Sequence, residues 1–171
     1  MDAETEKLFA YLTADPTGQL HDGLRLVDKY LEAVQRQHAL IFEAWRQKRY
    51  ERALVELHFF LIAIDRVKDR IVLASSALGT EMADHLGAWD LSGYKRARDH
   101  FEHIEDRLYG SRKNALKRNQ EYGTERTIHY GLSAGDISFR WSDQKIDISE
   151  GFLTRFLSWA TEAKAIADRS I

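Results

Sequence analysis

Helical spacing runs through the first two thirds of the chain, and strict alternation takes over for a short stretch near its end. Leu20, Leu24, Val27, Leu31, Val34, His38, Ile41, Phe42 and Trp45 recur mostly at intervals of three and four. That interval stacks side chains along one face of a helix. A second series follows in Tyr50, Leu54, Leu57, Leu61, Ile64, Val67, Ile71 and Leu78. The basic run Arg46-Gln47-Lys48-Arg49 reads as the corner between two helices, and one continuous helix fits the same spacing. Gly79-Thr80 offers a glycine to end a helix and a hydroxyl to start the next. A further helical region extends to Tyr109, with a kink or break around Gly87 to Gly93. Ahead of all these, a short helix is expected over Ala3 to Leu12, stopped at Asp15-Pro16-Thr17-Gly18.

The period then changes. Ile128, Tyr130 and Leu132 alternate with polar neighbours, as do Ile137, Phe139 and Trp141, and then Ile146 and Ile148. Ser133-Ala134-Gly135 and Ser142-Asp143-Gln144 are the intervening turns. A hairpin or three-stranded meander is predicted over about residues 127–148, one apolar face laid on the helices, because a lone two-stranded ribbon is not stable in water. Ser149 then reads as the cap of a last helix carrying Phe152, Phe156, Trp159, Ala163 and Ile166. The expected fold is mainly α: a four- to five-helix bundle with a small antiparallel β-hairpin or meander before the last helix, in one domain over residues 1–171.

Composition narrows the class. The 171 residues are 44% hydrophobic and 30% charged, the balance of an ordinary globular protein. A single proline leaves nearly the whole chain free to be helical. Without cysteine there is no disulfide and no thiolate metal site, which favours a reducing compartment. The start of the chain lacks the basic and apolar segments of a signal peptide, and no run approaches the roughly 18 apolar residues that span a bilayer. The expected location is cytoplasmic, away from membranes. A net charge of −2 argues against a dedicated nucleic-acid binder but not against an enzyme touching a few phosphates. Arg46, Lys48 and Arg49 with Arg52, and Arg112-Lys113 with Lys117-Arg118, are the local basic patches. Each also reads as ordinary solvated charge.

The segment with most chemistry is Tyr94-Lys95-Arg96-Ala97-Arg98-Asp99-His100-Phe101-Glu102-His103. Arg98 supplies a permanent cation, and His103 a group that exchanges protons near neutral pH. On a helix, Tyr94, Ala97, Phe101, Ile104 and Leu108 form one apolar stripe. Arg98 lies on one flank of it, His100 on the other, and His103 roughly opposite the core. At about 100° per residue, Arg98 and His103 diverge by about 140°, so one helix aims them poorly at the same atom, and a dimer pairing two copies of the helix could bring them together.

This Arg-Asp-x-x-x-His run in a helical arrangement resembles the HEPN superfamily, whose motif is Arg-polar-x-x-x-His. The resemblance covers the helical portion in outline and this motif in detail, and the hairpin lies outside it. It implies a homodimer with a composite site in the dimer groove and a metal-independent endoribonuclease of a toxin, defence or stress system. RNA is then the substrate, and an antitoxin or regulatory protein the partner. Carried onto this chain, Arg98 and His103 are catalytic, and Asp99 fills the polar slot more often held by Asn. Arg96 and His100 support the motif or the substrate. His103 would take the proton from a ribose 2′-hydroxyl while Arg98 holds the phosphate, leaving a 2′,3′-cyclic phosphate without any cofactor. Asp99 would set an extra anion beside that phosphate.

Other readings compete with this one. Arg98 and Glu102 at i,i+4 make an ordinary surface pair, and the helix then serves a non-catalytic dimerisation or interaction module. His100 and His103 at i,i+3 form an adventitious zinc pair at most, and the Glu-x-x-His repeats of a di-iron bundle are missing. Ser75-Ser76 has no His–Asp partnership. His58, within Leu57-His58-Phe59-Phe60-Leu61, reads as a hydrogen-bonded core histidine. Tyr130, Phe139 and Trp141 share one face of the hairpin. They seal the core, or, if exposed, mark a stacking or partner surface.

Overall fold

The computed structural model describes residues 18–103, 130–141 and 143–170, with positions 2, 5, 6, 9 and 13 ahead of them. Most of the expected first helix, the helical stretch beyond His103, the Arg112 to Arg118 patch, Ile128 and Ser142 lie outside the described residues. Within them the chain is mainly helical, with a small antiparallel sheet before the last helix.

Helix α1 spans Gln19–Arg46 and follows Gly18, whose φ of 71° turns the chain into it. The apolar series read from the sequence is its buried face: Leu24, Val27, Leu31, Val34 and Ile41 are in the core. The basic run is a corner. The Arg49 amide donates to the Ala44 carbonyl at 2.9 Å and the Lys48 amide to Trp45 at 2.8 Å. These two bonds form a Schellman motif, with Lys48 at φ 58° where glycine is usual.

Helix α2 spans Tyr50–Gly87 and is bent at Gly79, where φ 77° and ψ −161° leave the helical region. The expected end-and-restart at Gly79-Thr80 falls at this break, where two helical runs meet across a kink. Helix α3, Ser92–Glu102, starts after a break at Ala88 to Leu91. There the Asp90 carboxylate accepts from the Ser92 amide at 2.8 Å and its hydroxyl at 3.1 Å.

Strands β1 (Tyr130–Ser133), β2 (Ser138–Trp141) and β3 (Gln144–Asp147) form a meander in the order β1-β2-β3. Tyr130 faces Trp141, Leu132 faces Phe139 and Phe139 faces Ile146 across the ladders. Ile137, expected in a strand with Phe139 and Trp141, stands instead in the β1–β2 turn at φ 46°, partly exposed. The turn gathers on the Asp136 carboxylate, which accepts from the Ser138 hydroxyl at 2.6 Å, from Lys145 at 3.0 Å and from Arg140.

Helix α4, Glu150–Ser170, is capped by Ser149, whose hydroxyl accepts from the Phe152 amide at 3.2 Å. Its Phe156, Ala160 and Ala163 are fully buried in the same core as α1, α2 and the sheet. Two histidines clasp this helix. Buried His38 of α1 donates through Nε2 to the Ile148 carbonyl at 3.0 Å, just before α4 begins. His85 of α2 donates to the Trp159 carbonyl at 2.9 Å, while the Trp159 indole donates back to the His85 carbonyl at 3.5 Å.

Candidate functional site

Helix α3 lies against α2 and against β3. Gly93 lets it approach the sheet closely, since a Cβ there would stand 3.3 Å from the Ile146 side chain. Tyr94 anchors the same end, its hydroxyl donating to the Asp147 carbonyl at 2.7 Å and its ring stacked on Phe152 at 4.3 Å. Burial, helped by the charge of Asp147, pushes the Tyr94 phenol far above its ordinary value, so it stays a donor.

These anchors turn Arg98 inward against α2. Its Nη1 bonds Asp65, a residue of α2 that is itself only 6% exposed. Its Nη2 donates to Asp99 Oδ1 at 2.6 Å, Nε donates to the same oxygen at 3.2 Å, and Nε lies 3.6 Å from Glu102. The Arg98 side chain keeps 16% of its surface exposed. Burial pulls against its charge, but the hydrogen bonds to Asp99 and the charges of Asp65, Asp99 and Glu102 outweigh that and raise its pKa further. Burial also works against the Asp99 charge, yet the bond to Arg98 and the charges of Arg98 and Lys95 hold its carboxyl low. Asp65 goes the other way. Its burial and the neighbouring Asp69 raise it despite Arg98, Lys95 and Arg66.

The other sequence-derived residues lie apart from this cage. The described helix ends at Glu102, and the expected continuation to Tyr109 lies outside the described residues. His103 is the cap residue, at φ −114° and ψ 13°, where the Asp99 carbonyl accepts its amide. Its side chain is exposed at the helix end, while Arg98 faces α2. Arg96 is exposed and reaches back one turn to the Ser92 hydroxyl at 2.9 Å. His100 is fully buried against the sheet, with the rings of Tyr130 and Trp141 at 5.9 and 6.1 Å. Phe139 and Trp141 are buried and seal the core, whereas Tyr130 is partly exposed.

Two members of the cluster were not legible as such. Asp65 lies 33 residues before Arg98 and no spacing links them. The one available signal is a carboxylate four residues after core Leu61, on the flank of an apolar stripe. His58 stacks on Phe101 at 5.2 Å, and its buried Nε2 has no hydrogen-bond partner among the described residues. Burial lowers its pKa, Glu102 works against that and Arg98 adds to it, so the ring is neutral at physiological pH.

Chemically, the cage is a closed ionic network, with three carboxylates and Lys95 around one guanidinium. Among the described residues no group of three or more His, Asp or Glu side chains is arranged to hold a metal ion, and no helix is long and apolar enough to cross a membrane. No family model matches the chain, and no curated protein or solved structure does so.

Proposed function

We propose that this chain is a non-catalytic helical interaction module, acting by contact with another protein chain as one half of a dimer or of a regulatory or toxin–antitoxin pair. The observation that carries this reading is the pairing of Arg98 with Asp65, Asp99 and Glu102. A scissile phosphate would have to displace carboxylates already bonded to the guanidinium, and it would meet their negative charge on the way in. The cost of stripping Arg98 from Asp65 is also high, because that leaves a carboxylate in a poorly solvated place. His103, set at the exposed helix end, does not share the face on which Arg98 is held. On this reading the Arg98 cluster fastens α3 to α2.

The competing reading, a metal-independent endoribonuclease using Arg98 and His103, is tested directly. Purified protein is incubated with RNA in EDTA, beside His103→Ala, with cyclic-phosphate ends scored by mass spectrometry. The module predicts no cutting by either. EDTA-resistant cutting that disappears in His103→Ala would overturn it and place the proton acceptor at His103.

A further inference from the structure

A cavity of about 200 Å³ opens at the corner between α1 and α2. The chain builds it where the basic run turns, and the Arg49 amide bonded to the Ala44 carbonyl fixes that turn. Leu40 and Ala44 of α1 give the cavity an apolar wall, and Glu43 of the same helix adds a carboxylate. Arg49 lines it from the corner, and Arg52 and Glu56 line it from α2.

Burial separates this cluster from ordinary surface charge. The Glu56 side chain is 7% exposed, whereas that of Arg52, to which it is bonded, is 63% exposed. The Arg52 Nε donates to Glu56 Oε1 at 2.6 Å. A sunken carboxylate thus fixes the arginine by its inner nitrogen and leaves both terminal nitrogens to donate elsewhere. Among the described residues nothing else takes up those nitrogens, nor the Arg49 guanidinium. Glu43 is the other open group. Its Oε1 accepts from the Gln47 amide at 3.2 Å, and among the described residues no cation lies within ion-pair distance of it.

The charges say what kind of molecule fits. Arg49 and Arg52 against Glu43 and Glu56 give the lining no net charge. A phosphate would be set near two carboxylates, and a bare cation near two guanidinium groups. A molecule carrying both charges, neutral overall, avoids both penalties. The volume lies below the roughly 300 Å³ at which drug-sized sites begin, so the molecule is small.

We infer that this cavity binds a free α-amino acid, its carboxylate taken by Arg49 and Arg52, its ammonium by Glu43 and its side chain laid on Leu40 and Ala44. Glu56 is then a positioning residue, acting through Arg52. The site uses none of the residues of the Arg98 cluster and does not depend on the interaction-module reading.

L-Leucine is the probe, beside two relatives that each lack one charge: isocaproate, without the ammonium, and isoamylamine, without the carboxylate. Binding is followed by two-dimensional NMR of the backbone amides, with circular dichroism to confirm that each variant stays folded. L-Leucine should shift the amides of residues 40–56 in a saturable way, and each relative should bind at least about tenfold more weakly. Arg49→Gln should weaken L-leucine at least about tenfold, because the carboxylate loses charged donors. In Glu43→Gln, L-leucine and isocaproate should bind alike, because the group that tells them apart is gone. Absence of any saturable shift up to about 10 mM L-leucine overturns the inference. A shift pattern centred away from the corner overturns it too. Equal binding of isocaproate by the wild type overturns the amino-acid assignment and gives the cavity to a plain anion.

Discussion

At the scale of single residues, the strongest commitments are those of groups held against their ordinary preferences. Arg98 and Asp65 are both largely buried, so removing one leaves the other without compensation. Arg98→Ala should cost about 3 kcal/mol, read as a loss in urea midpoint, because breaking a buried pair strands a charge. Replacing both partners with leucine should recover most of that loss, the result expected of a cluster that serves structure. His58 provides a pH dependence with a definite sign. Its folded pKa is lowered by burial first, so below the ordinary value of about 6.5 the unfolded chain takes up a proton that the folded chain refuses. Stability should therefore fall as pH drops from about 6.5 toward 5, and His58→Gln should flatten that part of a melting-temperature profile. Lys48 holds a left-handed conformation that costs a side chain about 1 kcal/mol, and Lys48→Gly should return an increment of that order in thermal melts.

At the scale of elements, helical spacing and capping chemistry carried the reading a long way. The buried faces of α1 and α2, the corner at Arg46 to Arg49 and the cap at Ser149 all follow from local pattern, because each depends on residues within a turn or two. The meander was legible from alternation, except at Ile137, whose place in the alternation with Phe139 and Trp141 pointed to a strand, whereas it stands in the turn gathered on Asp136. What local pattern could not convey was the direction of Arg98. Its role depends on Asp65 of another helix, and five residues of spacing to His103 say nothing about that neighbour. The Asp136 turn makes its own prediction. The Ser133 hydroxyl first, then Ser138, Lys145 and Arg140, hold the Asp136 carboxyl well below the usual aspartate range. The support it lends is complete above about pH 4 and is lost as pH falls further. Asp136→Asn should make the melting temperature less steeply dependent on pH in that acid range.

At the scale of the whole molecule, one apolar core joins the three longer helices to the sheet, with Phe139, Phe152 and Phe156 in the same cluster as Leu57 and Val34. Helix and sheet are expected to lose structure together, so far-ultraviolet dichroism and tryptophan fluorescence should report one coincident transition. Phe156→Ala, which empties a fully buried aromatic site, should lower that transition by about 3–5 kcal/mol without splitting it.

The clasp on the last helix also bears on the order in which the protein is made. His38 waits for a carbonyl 110 residues further along the chain. At synthesis rates of about 5–20 residues per second, that partner emerges roughly 5–20 seconds later. Through that interval α1 and α2 can already lie side by side, while the groove meant for Phe152, Phe156 and Trp159 stays open. The nascent chain thus displays an apolar groove just before the segment that covers it arrives, and that is the moment at which a holding chaperone would find it.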